Sequence, residues 1–212
     1  MGFEQLFAIV VFVVCLALIV TDSVHRALVA IVGAVLIMVF VVPFEVAIHH
    51  IDWNTLGVLG GMMMFVSVVR QSGIFEYLAI KCVKLAKGAP WPIMVLFVLL
   101  TAVLSALLDN VTTVLLIGPM TLTVCRLLEV DPVQFFLAEI MASNIGGTAT
   151  LIGDPPNIMI GSAAHLTFMD FLVFNGPAIV VIMVVAIAIF YVMYGRNMGA
   201  SAEQQASIMQ LH

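Results

Sequence analysis

Charge is what this chain of 212 residues has least of: Asp, Glu, Lys and Arg make up 9% of it, against 64% hydrophobic residues. A soluble domain carries charge on roughly a quarter of its positions, so a water-facing surface has too little to be built from. The net charge of −5 is scattered, without a basic patch or run, and nucleic acid is not an expected partner. Only three cysteines occur, Cys15, Cys82 and Cys125, each alone in an apolar or amphipathic stretch. They read as small packing residues and not as a disulfide framework. Also absent are a His-Glu-x-x-His pair, a P-loop and a nucleophile elbow, so neither an enzyme nor an organic cofactor is expected. His49–His50 near Asp52 reads as a polar loop pair, and Met62–Met64 as adaptable packing, in preference to metal sites.

Long apolar runs are abundant instead. A membrane span needs about 20 mostly apolar residues, because the hydrocarbon core is roughly 30 Å thick and a helix rises about 1.5 Å per residue. Residues 3–21, 27–44 and 174–194 meet that length. The first has no basic leader and no small-x-small site before Asp22, so it is expected to be a retained span. Phe44–Asn54 is polar enough for a loop. A third crossing over 55–72 carries Gly57, Gly60 and Gly61, which would let neighbouring helices approach. Lys81, Lys84 and Lys87 recur every three residues, which predicts an interfacial helix over 74–88 with its lysines among headgroups. Residues 197–212 read as a polar cytoplasmic tail.

Two stretches fit no simple span. Trp91–Leu108 is apolar but ends in Asp109-Asn-Val-Thr-Thr113, and the next apolar run, Val114–Cys125, holds only 12 residues and includes Gly118–Pro119. This predicts a re-entrant hairpin over 91–126. Residues 134–168 exceed one crossing, and their middle reads Asn144-Ile-Gly-Gly-Thr-Ala-Thr-Leu-Ile-Gly-Asp-Pro-Pro-Asn157. Two prolines and three glycines at that depth predict a helix broken into halves. Unwound backbone inside a membrane persists only where protein or a watery cavity supplies hydrogen-bond partners. The expected fold is therefore all-α and polytopic, multi-pass in a cell (inner) membrane, with the lipid bilayer as its first partner. With the N-terminus outside and the C-terminus cytoplasmic, Arg26, Arg70, Lys81, Lys84, Lys87, Arg126 and Arg196 all fall on the inner side or at its edge.

Three carboxylates, Asp109, Glu139 and Asp154, fall at membrane depth. An ionisable group there is a functional candidate, since it is costly unless paired or hydrated. Asp109 and Asp154 also stand where helices start, so capping is the competing role, and one compatible with ion binding. Glu139 lies nearer the inner end of its half-helix. Half-helix N-termini favour an anion, whereas unwound carbonyls and side-chain oxygens favour Na⁺ or H⁺. Asp109 and Asp154 are candidates for ion or proton binding, with Na⁺ placed at Asn110 and Asp154. Asn110, Thr112, Thr113, Thr148, Thr150 and Asn157 are candidate neutral ligands, and Gly146, Gly147 and Gly153 would permit unwinding.

On the stretches around Asp109 and Asn144–Asn157, the chain resembles the ion transporter superfamily. The likeness is to the branch with arsenite permeases, NhaD-type sodium–proton antiporters, the melanosomal P protein and citrate-transporter-like domains. In the related divalent-anion/sodium symporters a Ser-Asn-Thr tip and a Gly-Thr-Pro-Pro-Asn-like break bind substrate and Na⁺. Asn110 and Thr112 match that tip, while Asp109 stands in the serine position and Asp154 replaces a small residue. Both departures point from dicarboxylate transport toward Na⁺- or H⁺-coupled ion exchange. The resemblance also implies two inverted repeats. With one hairpin and one broken helix here, the expectation is an N-terminal repeat, completed by a second repeat or a second copy. The alternatives are an anion carrier for arsenite or a carboxylate, and a non-transporting subunit or fragment.

Overall fold

The structure, a computed structural model, describes residues 2–208 and divides into two compact units, 1–53 and 54–212. The described residues form helices and connecting turns, with no strand among them. The first unit holds α1 (Phe3–Val20), α2 (Arg26–Phe40) and α3 (Phe44–His49). α1 and α2 pack through a small-residue contact: a Cβ on Gly33 would stand 2.6 Å from Cys15 Sγ, so the thiol would have to rotate aside for any larger residue. α2 has 15 residues and stops at Phe40, short of the expected end at 44. Pro43 disfavours helix at the residue before it, and it then opens α3 where a loop was expected.

In the second unit α4 (Trp53–Arg70) turns through 64° into α5 (Ile74–Leu85), with Gly73 at φ 70° providing the corner. α5 buries Phe75, Ala79 and Val83 at four-residue spacing. It leaves Lys81 and Lys84 exposed, with Lys81 Nζ 6.0 Å from the Tyr77 ring centre. That is the amphipathic division its lysine spacing predicts. No neighbour comes within 4 Å of a Cβ placed on Gly57, Gly60 or Gly61.

The core forms where α6 (Pro90–Ser105), α7 (Asn110–Leu128) and α8 (Pro132–Gly147) meet. Ile93 and Phe97 of α6, Ile117 and Val124 of α7, and Phe135 of α8 are fully buried there. α6 and α8 run side by side in one direction. Gly146 abuts Ala102, and one turn on, the Thr150 hydroxyl donates to the Ala106 carbonyl.

α7 corrects the sequence reading. It continues through Gly118–Pro119 for 19 residues, and it is long and apolar enough to cross a membrane. Pro119 removes a single ladder bond, and Gly118 lets Phe136 of α8 close against it, at 3.1 Å from a built Cβ. Shortness of the second arm therefore no longer distinguishes a hairpin from two crossings.

After α8 the chain unwinds over 148–154, resumes as α9 (Pro155–Ala164), and ends in α10 (Phe168–Met193), a 3₁₀ turn (Gly195–Asn197) and α11 (Ala202–Ile208). α10 starts earlier than residue 174 because Thr167 and Asp170 form a reciprocal cap. The Thr167 N–H donates to Asp170 Oδ2 at 2.8 Å, and the Asp170 N–H to Thr167 Oγ1 at 3.3 Å. The tail is not free: α11 packs on α7, and Ile208 is fully buried in the core cluster. Among the described residues α1, α7 and α10 can each span a membrane by length and composition, and α4–α5 adds a fourth if taken as one bent span.

Candidate functional site

The hairpin turn, residues 106–109, meets the break in the α8–α9 pair. α6 ends at Ser105, whose hydroxyl donates to the Ser143 carbonyl of α8 at 2.7 Å. The Thr150 hydroxyl donates to the Ala106 carbonyl and accepts from the Gly153 N–H at 3.2 Å. The Thr150 hydroxyl thus satisfies a backbone group in each of the two unwound segments. The three glycines serve close approach. A Cβ on Gly153 would lie 2.7 Å from the Ser105 carbonyl oxygen, and one on Gly147 would run into the Asn110 side chain. None of the three has positive φ; among the described glycines only Gly73 and Gly88 do. Their smallness, and not left-handed backbone, is what the site uses.

Asn110 is the centre of this knot. Its side-chain amide lies 2.8 Å from the Ser105 hydroxyl, 3.1 Å from the Ser143 carbonyl and 3.3 Å from that of Gly153. With the nitrogen turned toward those carbonyls it donates to both, and its oxygen faces Asn144. Asn157 does similar work across the break, donating to the Thr150 carbonyl at 2.9 Å and to that of Gly147 at 3.2 Å. Asn157→Ala strands two carbonyls, and we expect a loss of about 2 kcal/mol, read as an earlier thermal unfolding transition in detergent. An unchanged transition would show that water replaces the amide without cost.

The two aspartates differ. Asp109 caps α7 in full, accepting from the Thr112 N–H at 2.9 Å. Asp154 occupies the cap position of α9, yet its carboxylate accepts nothing from that helix. It faces a cavity of about 280 Å³ lined by Leu59, Met62 and Met63 of α4, by Asp109, Asn110 and Val111, and by Ile152, Asp154 and Pro155. The starts of α7 and α9 therefore share one space, with Leu59, Met62 and Met63 of α4 along another of its walls. Sequence reasoning assigned those methionines to general packing; nothing in their spacing distinguishes a cavity wall from a core.

The remaining candidates lie elsewhere. Thr112 lines a separate groove with Ser67 and Arg70. Thr113 is fully buried, and its hydroxyl has no partner. Thr148 is exposed and back-bonds to the Ile145 carbonyl at 2.7 Å. Thr150 is spent on the hairpin turn. Asp109, Asn110 and Asp154 are brought together at the cavity, and the threonines are not. No cluster of three or more metal-ligating His, Cys, Asp or Glu residues occurs among the described residues.

Comparison with known proteins places the chain in a family. The model of the citrate transporter family matches residues 16–209. An uncharacterized transporter of Mycobacterium tuberculosis is 44% identical over 209 residues, covering 96% of this chain and 48% of that protein. A 46 kDa membrane protein of Mycobacterium leprae is 45% identical over 210 residues, with 97% and 49% covered. The human P protein is 41% identical over 182 residues, with 82% and 22% covered. The chain spans about half the length of the mycobacterial relatives. Family and apolar helices together make it a multi-pass integral membrane protein of a transporter family. By the extent of the match and the identity of its relatives, this chain belongs to the citrate transporter family.

Proposed function

We propose that this chain supplies one repeat of a secondary active transporter, in which Asp109 and Asp154 bind a coupling cation, Na⁺ or H⁺. The observation that carries the reading is Asp154, which is half-buried, makes no cap hydrogen bond to its own helix and lines one cavity with Asp109 and Asn110. A carboxylate left without donors at membrane depth is stable only when a cation or a proton completes it. The Asn110 side-chain oxygen and hydrated carbonyls of the break are the neutral ligands at hand for Na⁺. In this reading α6–α7 re-enters, since its turn stops level with the break in α8–α9 instead of beyond it. The N-terminus then lies outside and the basic residues inside, in the cell (inner) membrane. The cavity is completed by a second repeat or a second copy of the chain.

The test is flux into proteoliposomes containing the complete assembly, driven by an imposed Na⁺ or pH gradient. Uptake or efflux that follows one of these gradients supports the reading; flux indifferent to both defeats it. An anion carrier is the second reading, favoured by the N-termini of α7 and α9 opening into the same cavity and by the citrate named in the family's description. Accumulation of citrate or arsenite without Na⁺ or pH dependence would select it.

A further inference from the structure

The third carboxylate is not among the residues of the cavity and lies buried in the helix packing. Glu139 on α8 is 1% exposed, packed where α8 meets α7. Its Oε1 lies 2.6 Å from the Thr121 hydroxyl, and its Oε2 has no hydrogen-bond partner. Among the described residues no cationic side chain forms an ion pair with it. α6 brings no ionisable side chain to the contact, and α7 brings the buried Cys125, one turn beyond Thr121. Asp131 caps the start of α8, and the ionisable groups of α10, Asp170 and Tyr191, lie in its end turns. Arg126 is exposed.

The hydrogen count decides the form of the acid. Thr121 has one hydroxyl hydrogen and two acceptors within reach, Glu139 Oε1 and the Ile117 carbonyl at 3.3 Å. An ionised Glu139 would compete with that carbonyl and leave one oxygen of a full charge unsolvated, which is the costlier way to bury a carboxyl. A neutral acid satisfies the whole chain: Glu139 donates to Thr121 Oγ1, which donates to the Ile117 carbonyl. The unpartnered Oε2 is then an uncharged carbonyl.

The same three helices carry further buried polar groups. On α8, Glu139 is one turn from Ser143, whose carbonyl receives the Ser105 hydroxyl beside Asn110. Two further buried hydroxyls, Thr101 on α6 and Thr113 on α7, have no partner. They stand one turn from Ser105 and from Asp109 on their own helices, between the hairpin turn and the Glu139 level. Buried polar groups are as a rule hydrogen-bonded, and three without a partner on α6, α7 and α8 call for an explanation.

We propose that Glu139 is a separate proton-binding site, a neutral carboxylic acid in the α7–α8 contact that exchanges its proton with the bulk. Resting on the transport reading, this makes H⁺ a coupling ion. The test is infrared spectroscopy of the purified chain in detergent, with a pH titration and a transfer to D₂O. At neutral pH a protonated-carboxyl band is expected in the wild type and in an Asp109→Asn, Asp154→Asn double variant. It should shift in D₂O, convert to the carboxylate band as the pH rises, and be missing from Glu139→Gln. Glu139→Gln keeps a neutral donor for Thr121 and is expected to fold, and in proteoliposomes it should lose proton-coupled flux. A neutral-pH spectrum without the band overturns the proposal, as does a band that neither titrates nor exchanges, or proton-coupled flux that survives in Glu139→Gln. Should the wild type move nothing under any gradient, the transport reading fails, and the titration still decides whether Glu139 binds an exchangeable proton.

Discussion

Asp154→Asn is expected to lower coupled flux on the order of a hundredfold while leaving the unfolding temperature in detergent equal to the wild type or above it. The two outcomes come from one fact. Asp154 makes no cap hydrogen bond to α9, so the helix loses nothing when its charge is removed. The folded state is also relieved of a half-buried carboxylate without donors. A coupling cation, by contrast, loses the one full negative charge at the cavity not already committed to a helix. Asp109→Asn should behave differently. Asn caps a helix about as well as Asp, so stability holds again, but the Asp109 oxygen already bonded to Thr112 makes it the lesser ligand and its loss the smaller one. Asp109→Ala removes the cap as well and should cost about 1 kcal/mol of stability. Gradient-driven flux and thermal unfolding on the three variants check this pattern. If Asp154→Asn unfolds early and transports in proportion to what remains folded, Asp154 is a structural residue.

Much of this site is visible in the sequence because the physics that makes it is local. A proline pair after Asp154, and Asp109 two residues before a β-branched run, announce helix starts wherever they occur. The composition of 144–157 cannot sustain a helix, and α8 does end at Gly147. What sequence misjudges is tertiary. Pro119 looks like an end of helix, yet the loss of one ladder bond is outweighed by burial of Ile117, Val124 and Leu128 on either side of it, and α7 runs on. The tail looks polar by composition, but Ile208 is buried in the core, with Met198 and Ala200 packed beside it. Thr113 is only three residues from Asn110, and helical rotation takes it away from the cavity and into the core. Spacing along a chain gives proximity in number, whereas only the helix phase gives proximity in space. Met62 and Met63 reach the cavity from 46 or more residues away, which no local pattern can signal.

Helix phase also separates glycines that look alike on paper. Gly146→Ala is expected to destabilise the fold by about 2–3 kcal/mol, whereas Gly57→Ala should be neutral or stabilise by up to about 1 kcal/mol. Both glycines lie in helices, where alanine is intrinsically the better residue. At Gly57 nothing stands within 4 Å of the added methyl, so propensity alone acts. At Gly146 the methyl would sit 2.6 Å from the Ala102 Cα and 2.7 Å from its carbonyl carbon. These are backbone atoms of a helix packed along α8, with no rotamer to escape into, so α6 as a whole must move. That shift draws Ser105 from Ser143 and Ala106 from Thr150, the two bonds that tie the hairpin turn to the break. Flux should therefore fall in the folded fraction too, beyond the loss of stability, because Asp109 and Asn110 move with the turn. Chemical or thermal unfolding of the two variants in the same detergent makes the comparison. Equal transitions for Gly146→Ala and wild type would mean that α6 and α8 do not lie as close as this packing requires.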